Sequence, residues 1–187
     1  MAWTIKDKDL GLPPITSVNT ATGSLTQGAT TVYPASAKPR IPGNLLCKEV
    51  EAFDPTYGNG TFKFLKGVAS TAVGSWVGYS PALGTTVLAT ANGTYPLAVA
   101  MSVCDTTTKY GWYQIEGTAQ AKGLTSITHS SGFLALTGTP GSLDDASVIG
   151  DHVFNARKTT AVHVVGTFID TYNISRPFTT NIVTVRN

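Results

Sequence analysis

From Asn44 onward, apolar and polar positions alternate over short runs, and each run ends on a turn signal, which is the pattern of half-buried strands. Leu45 to Phe53 alternates and stops at Asp54-Pro55 and Gly58-Asn59-Gly60, where Asn-Gly predicts a turn. Thr61 to Leu65 follows, with Phe62 and Phe64 on one face. Ser75 to Tyr79 is a short strand stopped by Pro81, and Thr85 to Thr90 is another. Asn92-Gly93 predicts a tight turn into Tyr95 to Val103, a run apolar enough for a central strand. Tyr110 to Ala121 is the best alternation in the chain. Phe133 to Thr137, Val148-Ile149 with His152 to Phe154, Ala161 to Asp170 and Thr180 to Val185 complete the series. No amphipathic run of helical length is present, and at most one helical turn is expected, at residues 144–149. The pattern predicts an all-β fold, an antiparallel β-sandwich or barrel of jelly-roll type, over residues 44–187.

Residues 1–43 read differently. They hold Pro13, Pro14, Pro34, Pro39 and Pro42, half of the ten prolines, separated by small polar residues. Neither a helical period nor a long alternation runs through them, so an extended N-terminal arm is expected. Its spaced apolar residues, Trp3, Leu10, Leu12, Ile15 and Tyr33, are candidate anchors. They can add to a sheet edge of a neighbouring subunit or fold back as an edge strand of their own domain.

Composition narrows the function classes. Charged residues make up 13% of the chain, about half the usual share for a soluble domain. The net charge of +2 is spread without a basic run, so no direct nucleic-acid binding is expected. No apolar run approaches the ~20 residues of a membrane-spanning helix, and no membrane association is expected. The opening from Met1 to Asp9 mixes charges and lacks an apolar core, so no export signal is expected either. Cys47 and Cys104 lie far apart and form no metal or redox motif; both are expected to be small buried hydrophobes with reduced thiols.

Candidate chemistry is sparse. His129, His152 and His163 sit near no nucleophile motif, and G-x-S-x-G is absent. Asp144, Asp145, Asp151 and His152 form the main acidic cluster, whose spacing fits a turn better than a metal loop. Asp54 before Gly58-Asn59-Gly60 lacks the alternating carboxylates of a calcium loop and is expected to form a turn. The segment Tyr110 to Ile115 could present rings to a sugar, but alternation puts Trp112 and Gln114 on one face and Tyr113 and Ile115 on the other. One of those faces must be core. No catalytic residue, cofactor or metal is therefore expected, and the chain is not expected to be an enzyme.

Several stretches resemble the capsid decoration proteins of tailed bacteriophages, also called cement or head-stabilising proteins. They are Ala52 to Pro55, Gly58 to Thr71, Pro96 to Ser102, Tyr110 to Ala119 and Ser142 to Asp151, within roughly residues 50–155. The resemblance implies a structural virion protein on the outer capsid surface, made in the host bacterial cytoplasm, whose partner is the major capsid protein. Sheet edges that must be paired add the expectation of a homo-oligomer, trimer ahead of dimer. Candidate contacts with capsid or neighbouring subunit are Trp3, Leu10, Leu12, Ile15, Tyr33, Trp76 and Trp112. The alternative is a head- or tail-fibre or receptor-binding component with a glycan-binding aromatic surface.

Overall fold

The computed structural model describes residues 3–6, 12–21, 24–27, 30–33, 45–124, 134–145, 150–159 and 169–179. In chain order its strands are β1 (Thr4–Ile5), β2 (Ser17–Thr20), β3 (Leu25–Gln27), β4 (Thr30–Tyr33), β5 (Glu49–Asp54), β6 (Gly58–Lys66) and β7 (Trp76–Tyr79). They continue with β8 (Thr86–Leu88), β9 (Leu97–Ala100), β10 (Lys109–Lys122), β11 (Leu134–Leu136), β12 (Leu143–Asp144), β13 (His152–Lys158) and β14 (Ile169–Thr179). All strand pairings are antiparallel, with one isolated parallel bridge between Gly123 and Leu143, and the described residues contain no α-helix. The fold is an all-β antiparallel sandwich. The helical turn expected at 144–149 falls largely on residues outside those described.

The long strand β10 is the spine. One of its edges pairs with β6, from Tyr110 opposite Lys66 to Gly117 opposite Gly60. The other edge is shared in succession by β2, β9 and β14. A bulge between Gln114 and Glu116 marks the change of partner. Gly117 follows at φ +101°, and a Cβ there would meet the Asn59 carbonyl oxygen at 2.3 Å, so only glycine fits this crossing.

Both faces of the middle strands are buried, which is why the sequence there is continuously apolar. Trp76 of β7 and Leu97 and Val99 of β9 join Ala119, Ala121, Leu134, Tyr172 and Ile174 in one core cluster. Val77, Ala98 and Ala100 on the opposite side join Leu65, Tyr113 and Ile115 in a second. A third lies under β5, β6 and the start of β10, with Val50, Ala52, Phe62, Phe64 and Trp112.

Several expected boundaries move. Leu45 to Cys47 form a turn, with Lys48 N–H donating to the Leu45 carbonyl at 2.9 Å, so the strand begins at Glu49. Cys47 sits there at φ 65° and is half-buried, unlike the buried Cys104; both are free thiols. Asn59-Gly60 is strand and not turn. The reversal is Asp54 to Gly58, where the Asp54 carboxylate accepts from Thr56 N–H at 2.8 Å and Tyr57 N–H at 3.2 Å. Asn92-Gly93 does turn, with Asn92 at φ 63°. The stretch Thr171 to Thr179, not expected as strand, extends β14 past a proline. Val148-Ile149, most of Ala161 to Asp170 and all of Thr180 to Val185 lie outside the described residues.

Within residues 1–43, the described segments are strands of this same sheet. β1 pairs with β5, β2 with β10 and β3, and β3 with β4.

Candidate interaction surface

Most of the residues that the sequence offered as outward contacts face inward. Trp112 is fully buried, meets Phe64 edge-on at 5.0 Å and donates its indole N–H to the Pro13 carbonyl at 2.9 Å. Ile15 is buried in the same cluster, and Trp3 and Leu12 pack against it half-buried. Trp3 lies edge-on to Phe62 at 4.9 Å and stacks on Tyr57 at 6.4 Å. The structure thus gathers Trp3, Leu12, Ile15 and Trp112 into one place, and that place is the chain's own core. Trp76 is fully buried in a different cluster, with its indole N–H on the Lys122 carbonyl at 3.1 Å. Trp76 and Trp112 have no exposed surface with which to touch a partner, which corrects their assignment as contacts. Tyr33 contributes its backbone to β4, and Leu10 lies outside the described residues.

The same burial removes the proposed sugar platform. Trp112, Tyr113, Gln114 and Ile115 are all buried, because β10 is covered on both faces, and no ring of Trp112 or Tyr113 is open to a ligand. The acidic residues serve the backbone. Asp151 accepts from the Asn92 N–H at 2.5 Å, and Asp144 accepts from the Asp145 N–H at 2.6 Å. Among the described residues no group of three or more His, Cys, Asp or Glu is placed to hold a metal. His152 lies half-buried on β13, and His129 and His163 lie outside the described residues.

What the surface offers instead is an open polar groove of ≈ 430 Å³, lined by Lys6, Glu49, Glu51, Thr61, Glu116 and Arg176. The chain contains three glutamates, and all three line it. Strand register explains the gathering. Glu49 and Glu51 alternate on β5 and stand opposite Lys63 and Thr61 of β6. Glu116 stands opposite Thr61 on the other side, and Ser175, next to Arg176, stands opposite Glu116. Arg176 reaches back across the groove to donate to both Glu49 oxygens, at 2.8 and 3.4 Å, and Lys63 donates to one of them at 2.9 Å.

Arg176 holds φ 48°, a left-handed conformation that costs a non-glycine residue about 1–3 kcal/mol, and it precedes Pro177. Its forked pair with Glu49 helps fix it there. The hydrogen bonds from Arg176, joined by Lys63 and opposed by partial burial, hold the Glu49 carboxyl below its usual range. No sequence pattern singled out this groove, and nothing local in the sequence pointed to Arg176, which lies 127 residues from Glu49.

A depressed carboxyl contributes stability above its ordinary value of 4.5 and loses that contribution as pH falls through its lowered folded value. With Glu49 and Arg176 both partly exposed, Glu49→Gln is expected to cost only about 0.5–1 kcal/mol at neutral pH. The deficit should vanish well below pH 4.5. Urea midpoints of both proteins at the two pH values check this, and an equal gap at both would contradict the role of the carboxylate.

Compared with protein-family models, with curated proteins and with solved structures, the chain matches none.

Proposed function

We propose that this chain is a structural virion protein that binds the outer surface of a tailed-phage capsid and cements the lattice of the major capsid protein. The observation that carries the reading is where the family-like stretches fall. Ala52 to Thr71 is β5, β6 and their turn, Pro96 to Ser102 contains β9, and Tyr110 to Ala119 lies within β10. These strands are the spine of the sheet, and Phe62, Phe64, Ala98, Trp112 and Ile115 within them are core. The likeness therefore rests on residues that specify a scaffold.

On this reading the attaching surface is made of side chains that the fold leaves out. Phe53, Leu83, Val87, Val103 and the stacked pair Phe154–Phe178 are exposed. They are scattered apolar contacts on a sparsely charged surface, suited to a broad flat partner. Among the described residues the three-residue strand β8 pairs only with β7 and leaves a short edge, which a symmetric homo-oligomer, trimer ahead of dimer, would cover.

The test is to mix the purified chain with capsids of its own phage that lack it and sediment the mixture. Saturable binding at symmetry-related sites, on the order of hundreds of copies per shell, is expected. Absence of binding, or a handful of copies confined to the tail, would overturn the reading. The second outcome would favour the fibre or receptor-binding alternative.

A further inference from the structure

We propose that Lys158 and Asp170 form an intramolecular isopeptide bond that ties β13 to β14. This rests on geometry independent of the capsid reading. Lys158 stands opposite Tyr172 in the β13–β14 ladder, and Asp170 lies two residues before Tyr172, on the same face. That diagonal places Lys158 Nζ 3.2 Å from Asp170 Oδ2, with both side chains 1% exposed. Tyr172 O–H points to the same oxygen at 3.5 Å, and its ring is fully buried edge-on against Trp76 at 5.4 Å.

A buried ion pair of this kind is a costly way to hold two strands together, because both charges must be taken out of water. Condensation removes both charges. One proton passes from the Lys158 ammonium to the Asp170 carboxylate, leaving a neutral amine beside a neutral acid. The Nζ lone pair attacks Cγ, forming the C–N bond. A carboxyl C–O bond breaks, and the departing hydroxyl takes a proton from nitrogen and leaves as water. The product is an amide; atoms and charge balance, and no oxidant, reductant or co-reactant is used.

The surroundings favour each part. Contact between the reacting groups replaces a bimolecular encounter. Burial keeps water from competing with the amine. Burial and the adjacent carboxylate push the Tyr172 phenol well above its ordinary range, so it remains a donor to the oxygen on which charge develops. Tyr172 is assigned as the positioning residue for the step.

Mass spectrometry of the full-length folded protein tests this directly. The wild type should be lighter than its sequence mass by one water, about 18 Da, and Lys158→Arg and Asp170→Ala should each have their sequence mass. No Lys or Arg lies between the two residues, and Arg176 precedes proline, so trypsin should release residues 158–186 as one peptide carrying the deficit. Fragmentation of that peptide should give no separated products from breaks between 158 and 170. Tyr172→Phe should slow the appearance of the deficit in freshly folded protein while the final bond still forms. A wild type at full sequence mass after prolonged incubation would overturn the proposal. So would a deficit that persists in Lys158→Arg, which would mark cyclisation of the aspartate on its own backbone.

Discussion

Replacement of Trp112 by alanine is expected to lower the unfolding free energy by about 3–5 kcal/mol, the range for deleting a buried aromatic. Trp112 is fully enclosed by the cluster containing Phe62, Phe64 and Ile15, so its removal leaves a cavity between strands fixed by the β6–β10 ladder. The substitution also takes the donor from the Pro13 carbonyl, 99 residues away in sequence, leaving the β2 ladder to hold the N-terminal segment to β10. Domains of this size are stable by about 5–15 kcal/mol, so the loss is a large part of the whole. Chemical denaturation measures it, and a loss under about 1 kcal/mol would contradict the buried placement. Trp112→Phe keeps most of the volume and should cost clearly less, separating the hydrogen bond from the packing.

Deletion of residues 1–20 is expected to have an effect of the same order or larger. It removes Trp3, Ile5, Leu12 and Ile15 from the third core cluster, strips β1 from β5 and β2 from β10, and uncovers Trp112. Burial of each large apolar side chain is worth about 1.5–3 kcal/mol. Their joint loss should leave a protein that melts many degrees lower or fails to melt cooperatively, as followed by calorimetry or tryptophan fluorescence. A truncated chain that melts like the full protein would show that the segment docks without contributing to the core.

These two cases also show what the sequence could disclose. Alternation placed β6 and β10, because a side-chain period of two marks a strand, and a short apolar run ended by Pro81 placed β7. The continuous apolar run Tyr95 to Val103 marked a central strand because both faces there are apolar, and the structure buries all of Leu97–Ala100. Residues 1–43 were harder. Their prolines and small polar residues suppress any period, so candidate anchors could be picked out while the direction they face could not. Only the packed structure shows Ile15 and Leu12 turned into the cluster that holds Trp112. Asn59-Gly60 was misread as a turn because the Asp54 carboxylate already closes the reversal with Thr56 and Tyr57, leaving the dipeptide inside β6. Arg176 and the buried Lys158–Asp170 pair depend on register between distant or bulged strands, which no local pattern encodes.

The capsid reading is tested most directly by a cryo-electron map of the phage particle. The account predicts density for this chain on the outer shell, in closed symmetric groups seated over the major capsid protein, with Trp76 and Trp112 enclosed in each copy and exposed side chains such as Leu83 or Phe154 and Phe178 at the contact. A map that leaves the shell surface bare, or places the chain only at the tail, would contradict it.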